Sequence, residues 1–403
     1  MPRSSWRLSL LVVAACGRVE YASVDAGASI DAGASIDAGA SIDAGASIDT
    51  AVWIDAGPIP DTGSALDTGS ALDVGRDAFP FDAGPLGPHN VAFLSRLVTG
   101  DLGGLAGADA ICSDDAIAAG LPGRFVALLG LGGSRPLDRL GSASGWVRPD
   151  GRAIAIDRAG LDAPLVHPVM LTAAGDYVDR ASAWDGLGGG DCEGWTSASA
   201  GASGNLGVAA SVLPEEWLST STGGACNTTS RLYCFQVDLV VAVPPPASIL
   251  GRRIFVSDSV GLGVQPDDAC EASRTAAALG ASFHAFVSAD GVAALSRVVL
   301  DERPWVRMDG LPIFADATAV RSWTRPLLPV LFDASGAVVG GSVHAGSTSP
   351  DLPGDATSTC MGWSDPLPGT YVPIGLSAHV GRAWFADPFG LCSSTHRFYC
   401  LED

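Results

Sequence analysis

The sequence predicts two tandem copies of one disulfide-stapled, loop-rich domain, each built from short strands and a single helix, behind a long unfolded N-terminal segment. Three observations point there. Landmark motifs recur in the same order in the two halves of the chain. The nine cysteines divide into one near the N-terminus and four in each half. Before the first half runs a six-residue repeat with little to bury.

The chain has 403 residues, of which 47% are hydrophobic and only 17% charged, with 51 Gly and 26 Pro. That composition supports real cores with many turns between their elements. A formal charge of −21 arises from 44 acidic against 23 basic residues, and every basic residue is Arg. Nucleic acid is therefore not an expected partner, and the absence of Lys excludes a P-loop or Schiff-base lysine.

Arg3 and Arg7 precede an apolar run, Leu8 to Ala15, that ends in Val13-Ala14-Ala15-Cys16. The run is too short to span a bilayer and has the layout of a secretory signal, 1–15. The Ala-Ala-Cys ending resembles the lipobox of bacterial lipoproteins, which implies lipid attachment at Cys16 and hence a membrane partner. Gly17, where Asp would retain a lipoprotein at the inner membrane of enteric-like systems, implies an outer-membrane or surface position.

Residues 16–88 read as a disordered, lipidated tether. Asp recurs at 25, 31, 37, 43 and 49, large side chains are scarce, and 17–88 carry twelve acidic residues against two arginines, a net of −10. Such a segment repels itself and buries little. As a flexible coil its ends would stand about 45 Å apart. Ile30, Ile36, Ile42, Ile48 and Ile54 also repeat every six residues, as in left-handed β-helices, but about five units make too few coils to close a core.

Two domains are expected beyond the tether, at 89–238 and 251–403, joined by the proline-rich linker 239–250. Each opens on an apolar strand, Asn90–Leu97 or Arg253–Ser257. Each continues into an Ala-rich helix with a cysteine, Gly107–Ala119 (Cys112) or Pro266–Leu279 (Cys270), closed by Gly120 or Gly280. Alternating strands follow at 123–128 and 282–287. Then come Trp146-Val147-Arg148-Pro149-Asp150-Gly151 against Trp305-Val306-Arg307-Met308-Asp309-Gly310, and Cys192-Glu193-Gly194-Trp195 against Cys360-Met361-Gly362-Trp363. Cys226 to Cys234 matches Cys392 to Cys400. Four cysteines per domain permit three connectivities, which their spacing does not separate.

The stretch Gly104 to Cys112, followed by Ala119-Gly120-Leu121-Pro122-Gly123-Arg124-Phe125-Val126-Ala127-Leu128, resembles the opening of endostatin and of a related bacterial surface-lipoprotein domain of unknown function. With the Cys-x-x-Trp and the closing Cys-x7-Cys, the resemblance covers nearly all of both domains. In the second copy the opening has drifted to Asp267-Asp268-Ala269-Cys270. It implies an α+β fold akin to the C-type lectin domains and nested disulfides, Cys112 with Cys234, Cys192 with Cys226, Cys270 with Cys400, and Cys360 with Cys392. Endostatin's zinc site and heparin binding are not expected here, because the histidine cluster and the basic surface behind them are missing.

No Gly-x-Ser-x-Gly elbow, His-Glu-x-x-His or phosphate-binding Gly loop is present, and the six histidines are scattered. No catalytic residues and no resident cofactor or metal are therefore expected. Gln265-Pro266-Asp267 spells a galactose tripeptide of calcium-dependent lectins, but it stands where a helix should open. Trp184 and Asp185 fall where those lectins carry Trp-Asn-Asp, and Trp184 is replaced by His344 in the second copy. Asp185, Asp191 and Glu193 offer oxygen ligands to Ca2+, as do Asp351 and Asp355 in the second copy. Trp146, Trp195, Trp305 and Trp363 read as core. Trp217 and Trp384 read as exposed candidates for ligand contact. The expected function is a non-catalytic envelope binding or adhesion protein recognising a glycan or protein through lectin-like loops, with avidity if both copies bind one target. Alternatives are an envelope-anchored hydrolase with an unfamiliar site, or a structural envelope protein.

Overall fold

A strand bearing Tyr-Cys near its end organises each half. In the computed structural model, which describes residues 88–403 apart from 220–222, 262, 315, 324–325, 365–368, 387–388 and 396, the first half holds eight strands. These are β1 (Asn90–Leu94), β2 (Phe125–Ala127), β3 (Trp146–Val147), β4 (Ala153–Ala155), β5 (Ser182–Trp184), β6 (Ser203–Val208), β7 (Gly223–Ala225) and β8 (Arg231–Gln236). They form one mixed sheet in the order β4-β3-β1-β8-β5-β6-β7, with β2 also on β8. The second half repeats them as β9 (Arg252–Val256), β10 (Phe283–Ala285), β11 (Trp305–Val306), β12 (Pro312–Phe314), β13 (Ser342–His344), β14 (Tyr371–Leu376), β15 (Phe389–Leu391) and β16 (Tyr399–Glu402). The architecture is α+β, with no closed barrel.

The registers match residue for residue. Phe93 faces Cys234 and Ala127 faces the same cysteine; Phe255 faces Cys400, which also faces Ala285. Asn90 pairs in parallel with Trp146, as Arg252 does with Trp305. One difference is a pairing. The parallel ladder of β5 on β8 has no strand counterpart in the second half, where His344 N donates to Arg397 O and β13-β14-β15 form a separate sheet.

Period-2 alternation sends the central strands' side chains into two cores. Ala92, Leu94, Tyr233 and Phe235 join Trp146 and Trp217 on one face, while Phe93, Leu232 and Cys234 meet the helix Gly104–Ala118 on the other. Ile254, Val256, Tyr399 and Leu401 against Phe255, Phe398 and Cys400 repeat the division. Strands buried on both faces need near-continuous apolar runs, which Arg231-Leu-Tyr-Cys-Phe-Gln supplies. The helix presents Ala108, Cys112 and Ala116 at a spacing of four, one stripe small enough to lie close to the sheet. It starts three residues before the expected Gly107. Its counterpart ends at Ala276 rather than Leu279, because Ala278 turns to φ 55°.

Four disulfides join Cys112 to Cys234, Cys192 to Cys226, Cys270 to Cys400 and Cys360 to Cys392, the nested arrangement that the resemblance implies. The outer bridges close sequence separations of 122 and 130 residues. Each restricts the unfolded chain enough to contribute roughly 2–4 kcal/mol. Such bonds belong to an oxidising, extracytoplasmic compartment. Among the described residues no helix is long and apolar enough to cross a membrane. The signal segment, Cys16 and all but the last residue of the tether lie outside the described residues.

The inner bridges anchor an unusual turn. Cys192, Glu193, Gly194 and Trp195 have φ of 49°, 58°, 75° and 64°, and Cys360 to Trp363 repeat the run at 51°, 53°, 68° and 66°. Trp195 N reaches Asp191 O and Thr196 N reaches Cys192 O, so this is one left-handed helical turn. Three side-chain-bearing residues in that region cost about 3–6 kcal/mol. Burial of the Trp195 indole, at roughly 2–3 kcal/mol, and the adjoining disulfide, at roughly 2–4 kcal/mol, offset it. Asp191 caps the turn by accepting from Gly194 N, and Trp195 Nε1 donates to Gly130 O.

The halves dock on each other through equivalent residues. Val212 N donates to Ala378 O and Val380 N to Ala210 O, both at 3.1 Å, and Ser211 lies opposite its own counterpart His379. This is an isologous contact about a local pseudo-twofold axis. Val380 packs on Met170 and Ala210, while Leu331 and Ala378 enter the core of the first half. The proline-rich linker is fastened too: Val243 N donates to Ile156 O, and its side chain is buried with Val147 and Ala153.

Docking of this kind couples the halves in unfolding. Calorimetry of the intact chain is expected to show one cooperative transition. Val380→Asp, which buries a charge between Met170 and Ala210, should split it into two and lower the first by several degrees. A single unsplit transition in that variant would mean that the contact contributes little.

Candidate functional site

Aromatic residues expected to face solvent are instead core. Trp217 and Trp384 are each only 1% exposed. The reason lies in glycines on the neighbouring strand. A Cβ on Gly207 would stand 1.8 Å from Trp217 O, and one on Gly375 would stand 2.1 Å from Trp384 O. The missing side chains let the tryptophan backbone press onto β6 and β14 and drive the indoles inward. Trp217 stacks on Phe235 and meets Tyr233 edge-on; Trp384 stacks on Phe286 and packs on Tyr399, whose hydroxyl donates to Trp384 O at 2.6 Å. Both therefore leave the set of ligand contacts. Gly207 and Gly375, at matching places in the two copies, are the sequence signal for it.

Trp184 is buried as well, edge-on to Trp195, with Nε1 donating to Val98 O at 3.3 Å. His344 fills its place in the second copy and packs edge-on against Trp363. The position is a core site in both.

The acidic residues do not converge on a cation. Asp191 spends Oδ1 on Gly194 N and Oδ2 on Gly132 N, at 3.1 and 3.0 Å. Glu193 projects into solvent from the left-handed turn. Asp185 is buried, and its oxygens accept from Leu187 N at 2.8 Å and Ser219 N at 2.9 Å. In the second copy Asp351 accepts from Ser349 Oγ and Asp355 from Ser358 N. Among the described residues no three His, Cys, Asp or Glu side chains gather closely enough to hold a metal ion. Backbone amides donate to Asp185, Asp191 and Asp355, and a serine hydroxyl donates to Asp351.

Gln265, as expected of a helix opener, is the N-cap of the helix Pro266–Ala276. Asp267 accepts from Ala285 N and from Arg297 Nη2, and Asp109 does the same with Ala127 N and Arg139 Nη2. This clamp from helix to strand to loop recurs at the same 30-residue spacing, and sequence reading passed it over.

Ser211, Glu216 and His379 form one cluster across the docked halves. Ser211 Oγ donates to Glu216 Oε2 at 2.6 Å, and His379 Nε2 lies 2.7 Å from the same oxygen. The hydrogen bond from His379 is the main reason that the Glu216 carboxyl stays below the usual range. A hydrolytic triad needs the imidazole between hydroxyl and acid. Here the carboxylate sits between them, an order different from the triad, and it ties Ser211 of the first half to His379 of the second.

Among the exposed apolar side chains of the described residues, three share the β14-β15 hairpin. Tyr371 pairs with Leu391 and Pro373 with Phe389, so these side chains share one face. Tyr371 is 64% and Phe389 59% exposed, with Leu391 beside them. The first copy carries Ser203, Asn205, Gly223 and Ala225 at the same register places. Nothing in the sequence distinguished this hairpin, because exposure of a Tyr or Phe depends on which sheet face the loops cover.

No protein-family model matches the chain, and no curated protein matches it.

Asp185 gives the molecule a pH signature. Burial pushes its carboxyl up from 3.8 to about 7, against the two backbone hydrogen bonds that lower it. A carboxyl raised in the folded state favours folding when protonated. Its contribution is complete below pH 4, shrinks as pH rises, and is gone above about 7, a span of up to roughly 4 kcal/mol. Chemical denaturation of wild type and Asp185→Asn at pH 5 and pH 8 should show the wild type losing more stability over that interval than the variant. Equal losses would contradict the assignment.

Proposed function

We propose that the protein is a non-catalytic binding protein of the cell envelope, anchored by a lipid on Cys16, carried on the tether 16–88, and recognising a glycan or protein ligand outside the cytoplasm. Its two halves are read as endostatin-like, C-type lectin-like modules, a reading supported by the matched element order and the nested disulfides. An outer-membrane or surface position accords with those disulfides.

The observation that carries recognition is the apolar face of Tyr371, Phe389 and Leu391. Aromatic faces held on paired strands stack on sugar rings or receive apolar side chains, and they keep little conformational freedom to lose. Because the first half places Ser203, Asn205, Gly223 and Ala225 there, the two copies are not equivalent. Recognition through this hairpin is a single-site event, and avidity between the copies drops out of the reading.

A glycan array and an affinity capture with the purified chain test the proposal. Saturable binding is expected, weakened at least tenfold by Tyr371→Ala with Phe389→Ala while the melting temperature stays within a few degrees. EDTA should leave it unchanged, since the recognition face is apolar and contains no carboxylate. Binding that survives the double substitution would move recognition off this face.

A further inference from the structure

Both halves and the linker line a cavity of about 370 Å3. Its walls differ sharply. From the second half and linker come Leu311, Pro312, Leu328, Val243 and the Pro244–Pro246 run, all apolar. From the first half come Asp150, Gly151, Arg152, Ala153 and His167. These are the same positions in the two copies. Ala153 and Pro312 occupy matching places opposite Val147 and Val306. Val166 N donates to Ile154 O as Leu327 N does to Ile313 O, so His167 corresponds to Leu328. The pseudo-twofold thus brings one position face to face with itself, as imidazole on one side and isobutyl on the other.

His167 is buried, and its Nδ1 lies 2.7 Å from Ala153 O. A carbonyl only accepts, so Nδ1 carries the hydrogen and Nε2 keeps its lone pair. Burial first, then the nearby Arg148 and Arg152, hold the ring well below its usual titration range, so it is neutral. Asp150 meanwhile bridges Arg148 and Arg152. The cavity therefore offers mostly apolar walls, a volume at the lower end of the roughly 300–1,000 Å3 typical of small-molecule sites, and on one wall the neutral imidazole beside an Asp150 carboxylate already paired with Arg148 and Arg152.

We propose that this cavity binds a small, uncharged, mainly apolar molecule carrying one hydroxyl or N–H, with that donor on His167 Nε2 and the apolar body against Leu311, Leu328 and the linker prolines. The site is distinct from the exposed hairpin and does not depend on the function proposed for it.

Two probes that differ only in the donor decide the matter: 2-naphthol and naphthalene, titrated into the full chain and followed by calorimetry or probe fluorescence. The expected result is one 2-naphthol per chain, bound at least tenfold more tightly than naphthalene. His167→Leu, which installs the residue of the second copy, should bring the two within threefold while naphthalene still binds, and that retained binding shows the variant folded. Leu328→Trp, which fills the cavity from the opposite wall, should abolish both. No saturable 2-naphthol binding to the wild type, equal affinity for both probes, or binding indifferent to Leu328→Trp would each overturn the proposal.

Discussion

The cystine that ties the first helix to the closing strand is the constraint on which each half turns. Cys234 lies in register with Phe93 on one side and Ala127 on the other, and its sulfur reaches Cys112 in the middle of the helix stripe. One residue fixes helix, first strand and last strand at a common point, and Cys400 does the same in the second half. Because the strand alternates strictly, its neighbours Tyr233 and Phe235 must point to the opposite core. The loops between need only drape over a frame already closed.

Latitude in those loops explains how the copies differ without losing the fold. The buried Asp185 becomes Ala345, Trp184 becomes His344, and His167 becomes Leu328, yet the register of β5 on β6 recurs in β13 on β14 and the inner bridges are kept. The cost falls at one place, where the parallel ladder through Trp184 has no strand counterpart beside His344. The frame around the outer cystines is the same in both copies.

Much of the framework was legible from residues alone. Apolar runs, a helix carrying cysteine and recurrent Trp and Cys landmarks gave the order of elements and the bounds of the two copies. What escaped has a common cause. Trp217 and Trp384 look free because they stand in no alternating or helical apolar pattern, and only the approach of Gly207 and Gly375 shows why they are buried. The left-handed turns escaped because Glu, Met, Cys and Trp avoid positive φ, and a chain-local rule cannot see the disulfide and the buried indole that outweigh it. Asp109 with Arg139 escaped because ion pairs 30 residues apart leave no periodic trace. Candidate ligand residues failed for the same reason: their chemistry was visible, but their surroundings were not.

The self-complementary contact at Ser211 and His379 also says what either copy would lack on its own. A strand edge that recognises its own equivalent does not require that the two copies be joined by a linker. Alone, one copy would leave that edge unpaired and bare the apolar residues around the position of Met170 and Leu331. Within one chain, by contrast, the two members of a symmetric pair need not be identical, and the imidazole of His167 across from the isobutyl group of Leu328 is such a pair.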